Sequence, residues 1–119
     1  MGRLDLPTAR AGIWALRAII LTKRRLRRDG LSAVVVPEPP RLPAHARRGV
    51  SIVLRHRRPT CLERALVLQR WLASQGTVRD VVIGVTGTSG GFQAHAWVEG
   101  EPIGEKFHEL TRVSGIAAS

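Results

Sequence analysis

Apolar residues recur at helical spacing in the first thirty residues of the chain. Six of them form one stripe over residues 8–29: Ile13, Trp14, Leu16, Ala18, Ile20 and Leu21. The run KRRLRR closes this stretch and suits a helix C-terminus, where the macrodipole is negative, and Gly30 follows as a stop signal. We expect an amphipathic helix whose stripe packs on this domain or on a partner.

A second helical pattern covers residues 61–75 and ends before Gly76. Its apolar face has six members: Leu62, Ala65, Leu66, Leu68, Leu72 and Ala73. Between the two patterns, residues 31–49 contain four prolines and no sustained period, which predicts a linker or an extended crossing. Residues 50–58 either start a helix or form a basic approach to residue 61.

The pattern then changes to that of strands. Residues 78–85 are a β-branched run typical of a buried strand, and TGTSGG at 86–91 predicts a turn. Residues 92–99 alternate, with His95 and Trp97 on the face opposite the apolar row. We expect an antiparallel hairpin, a third strand beginning within 100–105, and a loss of pattern after Phe107. The predicted fold class is α+β.

Length and charge add a functional constraint. The 119 residues suffice for one domain, and the formal net charge is +10. Residues 1–60 carry 14 Lys and Arg against 3 Asp and Glu, whereas residues 61–119 carry 5 against 6. The basic half is therefore expected to bind an acidic partner, and the arginines of its helix end are candidates: Arg24, Arg25, Arg27 and Arg28.

The single cysteine excludes an intramolecular disulfide and a Cys-rich zinc site formed by this chain alone. No apolar stretch reaches the roughly 20 residues that a membrane helix needs, and no export signal is evident. We therefore expect a cytoplasmic protein without a membrane span and without a metal or other cofactor.

Cys61 stands at a position suited to nucleophilic chemistry. Thr60 and Glu63 have the T-x-x-E spacing of a capping box, which makes Cys61 the first residue of its helix. Unpaired N–H groups at a helix start stabilise a thiolate and can receive the oxyanion of acyl transfer. A lone cysteine at a helix start is also compatible with a structural role.

His95 is the candidate base for Cys61, although a structural histidine is an equal possibility. A third group should orient the imidazole, and four glutamates are within reach along the chain: Glu99, Glu101, Glu105 and Glu109. A residue on the next strand can face His95 directly, which favours Glu105. Gln93 and Trp97 share the His95 face and are expected to contact substrate or wall the site.

Several segments together resemble one known family. CLERALVLQRWLASQG, IGV, GFQAHAWVEG and PIGE, within residues 50–107, resemble the transglutaminase-like leader peptidases of lasso-peptide biosynthesis, in their short stand-alone form. The resemblance implies a papain-like cysteine-peptidase fold in which a Cys61 helix packs on a small antiparallel sheet bearing His95. The family triad falls on Cys61, His95 and Glu105, with Glu in place of the usual Asp.

The resemblance also implies partners and a division of the chain. The substrate would be the leader of a ribosomally made precursor, delivered by a separate leader-binding protein, and an ATP-dependent macrocyclase would close the freed core. Residues 1–49 would then be a basic docking segment and residues 50–119 the catalytic core of one compact domain. No nucleic-acid partner is implied.

Three other interpretations stay open at this point. The first is a basic binding module for nucleic acid or an acidic protein, supported by the charge but not by the scarce aromatic residues. The second is a non-catalytic scaffold with a degenerate site. The third is a mononuclear metal site from Cys61, His95, His108 and a glutamate, which lacks any closely spaced ligand pair.

Overall fold

The computed structural model describes residues 5–30, 35–88, 91–100 and 108–115. Three helices precede three strands in the chain order α1 (Leu6–Asp29), α2 (Arg47–Arg57), α3 (Cys61–Ser74), β1 (Val81–Thr88), β2 (Gly91–Val98) and β3 (His108–Val113). A short 3₁₀ turn, Ala44–Ala46, leads into α2. The architecture is α+β, as the sequence predicts.

Helix α1 has clear signals at both ends. Asp5 caps its start, because the Asp5 carboxylate accepts a hydrogen bond from the Thr8 N–H at 2.8 Å. Pro7 occupies the first turn, where the absent N–H costs nothing. Gly30 ends the helix at φ 78°, a backbone conformation that favours glycine. The predicted helix and its stop are confirmed, with a start two residues earlier than expected.

The apolar stripe of α1 divides between the core and the surface. Trp14 is buried, its ring lies 6.0 Å from that of Trp71 in α3, and its Nε1 donates to the Pro37 carbonyl at 3.0 Å. Ile13 and Ile20, by contrast, are 68% and 42% exposed. The helix therefore packs on this domain through its small residues, Trp14 and Ile19, while Ile13 and Ile20 face outward.

Helices α1 and α2 approach each other closely at Gly49. A Cβ added there would stand 2.1 Å from the Thr8 carbonyl oxygen and 2.9 Å from the Gly12 nitrogen. No side chain fits at such distances, so only glycine allows α2 to pack this tightly against the first turns of α1. A Cβ at Gly12 would make ordinary contacts of 3.5 Å.

Residues 35–43, which contain the prolines, cross the domain without regular structure, as the sequence predicts. The predicted irregular range of 31–49 extends too far toward the C-terminus, because its last residues are helical. The chain turns helical at Arg47, so the helical interpretation of residues 50–58 is the correct one. Arg58 ends α2 in the left-handed conformation, with φ 45°. Three residues then separate α2 from α3 and set the direction in which Cys61 is presented.

Helix α3 is the central element of the core. It runs from Cys61 to Ser74, and Gly76 follows at φ 90°, which confirms the predicted start and stop, with an end one residue earlier than predicted. The buried Gln69 side chain donates from Nε2 to the Arg79 and Val113 carbonyls, both at 2.9 Å. This amide ties α3 to the start of β1 and the end of β3.

The described strands form one antiparallel sheet in the order β2-β1-β3. The β1–β2 hairpin is confirmed, although both strands extend further toward the turn than predicted. The expected loss of pattern after Phe107 is wrong, because His108–Val113 forms β3. The β1–β3 pairing shifts register beside Gly84. Such a shift interrupts the alternation of apolar and polar residues by which a strand is predicted from sequence. The third strand predicted within 100–105 falls almost wholly outside the described residues.

One hydrophobic core unites these elements, with residues from both sides of the predicted 49/50 boundary. Ala11, Ala15 and Ala18 of α1 meet Val50 and Leu54 of α2 in it. From the other side, Leu66 and Trp71 of α3 and Val81, Ala96 and Val98 of the sheet complete it. Within the described ranges, no helix has the length and apolarity needed to cross a bilayer.

Candidate active site

The start of α3 presents Cys61 through a complete capping box. The Thr60 Oγ1 accepts from the Glu63 N–H at 3.2 Å, and the Glu63 carboxylate accepts from the Thr60 N–H at 3.0 Å. Glu63 is only 4% exposed, whereas Cys61 is a free, half-buried thiol. The predicted box and the N1 position of Cys61 are confirmed, so the thiol belongs to the first helical turn, whose backbone N–H groups have no partners within the helix.

His95 lies in β2, at one edge of the described three-stranded sheet. Its neighbours Ala96 and Val98 are buried against α3, and the imidazole stacks on the Trp97 indole with ring centroids 6.1 Å apart. On β1 its register partner is Gly84, which has no side chain to crowd the imidazole from that strand. The alternation predicted for residues 92–99 is thus seen at these four positions.

The candidate nucleophile and the candidate base line one cavity of about 440 Å³. Cys61 and His95 both line it, although 34 residues separate them in the chain. Helix α2 forms one wall, the first turns of α3 another, and the edge strand β2 the third. Its remaining lining residues are Arg47, Ser51, Leu54, Arg64, Ala65, Leu68, Ala96, Trp97 and Val98. A thiol and an imidazole in one cleft are the groups needed for nucleophilic acyl transfer.

Arg47 and Arg64 are cavity residues that the sequence analysis does not identify. Arg64 follows Cys61 by three positions, which places the two on one face of α3. Arg47 comes from the first turn of α2, which packs mainly on α1, and lines the cavity from that helix. The spacing from Cys61 could have pointed to Arg64, whereas no local pattern distinguishes Arg47 among the arginines of the basic half.

Two of the acidic candidates for orienting His95 are engaged elsewhere. Arg112 donates to both carboxylate oxygens of Glu109, at 2.7 and 2.9 Å, and also binds Glu99 and Asp80. The hydrogen bonds from Arg112 hold the pKa of the Glu109 carboxyl below its usual value, and the same contacts raise the pKa of Arg112. Glu105 and Glu101 lie outside the described residues.

The remaining candidate residues divide between the cavity and the surface. Trp97 lines the cavity, as expected for a residue that walls the site. Gln93 belongs to β2, but its side chain is outside the described part of the structure. The four arginines at the C-terminal end of α1 are exposed and do not line the cavity: Arg24, Arg25, Arg27 and Arg28.

The hypothetical metal site finds no set of ligands in the described ranges. There, no group of three or more His, Cys, Asp and Glu side chains converges as metal ligands would. His108 starts β3 opposite Val85, and its side chain is among those not described.

Comparison with known proteins identifies one matching family. A family model for the transglutaminase-like superfamily matches residues 5–117, nearly the whole chain. No curated protein and no solved structure matches significantly. The match includes α1 as well as the segments that carry Cys61 and His95. This chain therefore belongs to the transglutaminase-like superfamily.

Proposed function

We propose that this protein is a cysteine peptidase that removes the leader from a ribosomally synthesised lasso precursor peptide. The observation that carries the proposal is the cavity lined by both Cys61, at the first residue of α3, and His95, on the edge strand β2. Membership of the transglutaminase-like superfamily supports thiol chemistry at this pair. The resemblance of residues 50–107 to stand-alone lasso leader peptidases supports the choice of substrate.

The proposed reaction is peptide hydrolysis through a thioester. The Cys61 thiolate attacks the carbonyl carbon at the leader–core junction, and N–H groups of the first α3 turn stabilise the oxyanion. The C–N bond then breaks as the His95 imidazolium gives its proton to the core amine. Water attacks the thioester after losing a proton to His95, which frees the leader carboxylate and restores the thiol. One water is consumed for each bond cleaved.

Glu105 is our proposal for the third member of the triad. Its carboxylate would accept a hydrogen bond from the second imidazole nitrogen of His95 and so fix the tautomer. The engagement of Glu99 and Glu109 with Arg112 supports this choice over those two alternatives.

The outward face of α1 supports a docking role for the basic half. Leu6, Ile13 and Ile20 recur every seven residues and are exposed, and Arg10, Arg17 and Arg24 recur beside them with the same spacing. We name these six residues the α1 outer face, which the cationic run Arg24–Arg28 extends. The partner proposed for it is an acidic, partly apolar surface of the leader-binding protein, because charge and apolar contact complement each other in such interfaces.

The proposed function is tested by incubating the purified protein with the candidate precursor, with and without the leader-binding protein, and measuring product masses. Cys61→Ala and His95→Ala should each abolish leader removal, because nucleophile and base act as a unit. Glu105→Gln should slow it and leave residual activity. Full activity of folded Cys61→Ala would contradict the proposal and favour a basic binding module.

The docking role has its own test in the association kinetics of the two proteins. Reversal of Arg24, Arg25, Arg27 and Arg28 to Glu should lower the on-rate, most strongly at low salt. Ile13→Ser with Ile20→Ser should instead raise the off-rate at every salt concentration, because apolar contact is not screened. Unchanged rates in both variants would show that this helix face is only solvated.

In the cell, the proposed peptidase works in the cytoplasm, where its thiol stays reduced. The freed core amine would then be joined to an acidic side chain by an ATP-dependent macrocyclase. We propose these steps from the family resemblance of residues 50–107.

A further inference from the structure

A groove separate from the Cys61 cavity lies between α1 and the proline-containing stretch. Its volume is about 490 Å³, and the two sets of lining residues have no member in common. Apolar residues line it from α1 on one side and from the irregular stretch on the other: Ile13, Trp14, Leu21, Pro37 and Pro40. Because Ile13 is 68% exposed, the groove presents apolar surface to a partner.

The walls of the groove are tied together and offer few backbone hydrogen bonds. The Trp14 Nε1 donates to the Pro37 carbonyl at 3.0 Å, which joins α1 to the opposite wall. Pro37 and Pro40 have no N–H to donate, and the α1 backbone along the groove is hydrogen-bonded within the helix. A peptide in the groove therefore cannot add itself to a free strand edge, and its side chains must provide the recognition.

Two arginines of α1 give the groove its charge. Arg10 and Arg17 both line it and are exposed, and neither pairs with a carboxylate in the part of the chain that the structure describes. Glu38 also lines the groove, but its carboxylate lies 3.8 Å from the Arg70 Nη2. Since Arg70 offsets the charge of Glu38, the guanidinium groups of Arg10 and Arg17 are left to attract an acidic partner.

Helix geometry sets the separation of these two arginines. Seven residues make about two turns, so Arg10 and Arg17 leave the same face of α1 about 10 Å apart along its axis, with Ile13 between them. In a polyproline II chain, residues three apart point to the same side and lie about 9 Å apart. Such a chain, with an acidic residue at each end of this span and an apolar residue between them, matches the groove in charge and in apolar contact.

We propose that this groove binds an extended segment of the leader-binding protein in which two acidic residues, three positions apart, flank an apolar residue. The inference rests on the proposed partnership with that protein and deepens it, because it adds a sequence requirement on the partner to the broader α1 outer face. The leader of the precursor could carry the same chemistry, and the second test separates the two sources.

The first test measures the affinity of the intact leader-binding protein for variants of this chain. Arg10→Glu with Arg17→Glu should raise Kd by about tenfold at low salt, and Arg10→Gln with Arg17→Gln should raise it less. Arg48→Glu with Arg55→Glu is the matched control, since it makes the same change of net charge at exposed α2 residues outside the groove. An equal effect of the groove and control variants would overturn the proposal.

The second test locates the segment with labelled twelve-residue peptides that tile the leader-binding protein, acetylated and amidated, in an anisotropy assay. The tightest peptide should contain the acidic pair, and replacing both acids by their amides should weaken it by about tenfold. Lys at those two positions should instead favour the Arg10→Glu, Arg17→Glu variant. Tighter, arginine-dependent binding of a tile from the precursor leader would assign the groove to substrate and refute the proposal, as would the absence of any arginine-dependent tile.

The outcomes separate this inference from the proposed function, because both tests measure binding without cleavage. Leader removal that requires Cys61, together with binding that ignores Arg10 and Arg17, would refute the groove and retain the peptidase. Arginine-dependent binding without cleavage of any precursor would retain the groove and refute the peptidase. Thermal unfolding of each variant shows whether lost binding reflects a lost fold.

Discussion

Thr60 and Glu63 exchange two hydrogen bonds across the first turn of α3, one from each backbone N–H to the other's side chain. Cys61 lies between them, so the box fixes the backbone that presents the thiol. Thr60→Ala should lower the free energy of unfolding by about 1 kcal/mol, the usual cost of losing an N-cap. It should also slow alkylation of Cys61. Thr60→Ser is the matched control, and urea unfolding with iodoacetamide kinetics measures both effects. Equal stability of the Ala and Ser variants would contradict this account of the cap.

Because α1 packs closely on α2, alanine substitutions at two glycines should differ sharply in their effect on the free energy of unfolding. Gly49→Ala should destabilise the protein by about 2–3 kcal/mol, because its Cβ would meet the Thr8 carbonyl and the helices must separate. Gly12→Ala should be neutral or stabilising, because its Cβ has ordinary contacts and alanine favours the helix. Urea unfolding curves of the two variants check the prediction, and equal midpoints would refute the role of Gly49.

Loss of the buried Gln69 amide should also lower the free energy of unfolding strongly. Gln69→Leu leaves the Arg79 and Val113 carbonyls without their donor and should cost about 2–4 kcal/mol. Gln75→Leu removes one bond, to the Leu42 carbonyl at 2.9 Å, and should cost less. Thermal unfolding compares the two. A smaller loss for Gln69→Leu than for Gln75→Leu would show that α3 does not depend on this amide for its attachment to the sheet.

The ion pairs of Arg112 with Asp80, Glu99 and Glu109 predict a pH-dependent contribution to stability. Because the hydrogen bonds from Arg112 hold the pKa of Glu109 below its usual value of 4.5, the ion pair stabilises the fold above that pH and loses its contribution as pH falls through the folded-state pKa. The stability difference between wild type and Glu109→Gln should therefore be greatest near neutral pH and shrink below pH 4.5. Melting temperatures from pH 3 to pH 7 measure it. A difference that grows on acidification would contradict the assignment.

Much of the fold could be predicted because its signals are local. The capping box at Thr60, the glycines that end α1 and α3, and the alternation around His95 each act within a few residues. The cysteine helix and the hairpin followed from them.

Features that depend on tertiary packing could not be predicted. Ile13 and Ile20 have the spacing of a buried stripe, but α1 turns its alanines, Trp14 and Ile19 to the core and leaves those two isoleucines exposed. Strand β3 was missed because its pairing shifts register beside Gly84. Arg47 lines the cavity only because tertiary packing, mainly of α2 on α1, places α2 beside it.

The central claim is that the one thiol of this chain performs the reaction, and stoichiometric alkylation tests it most directly. Samples are alkylated to increasing extents with iodoacetamide, the modified fraction of Cys61 is read by intact mass, and leader removal is assayed with the leader-binding protein present. With a single cysteine in the chain, activity should fall in proportion to the modified fraction and reach zero at full modification. Precursor peptide should protect the thiol. Undiminished leader removal by fully alkylated protein would contradict the account.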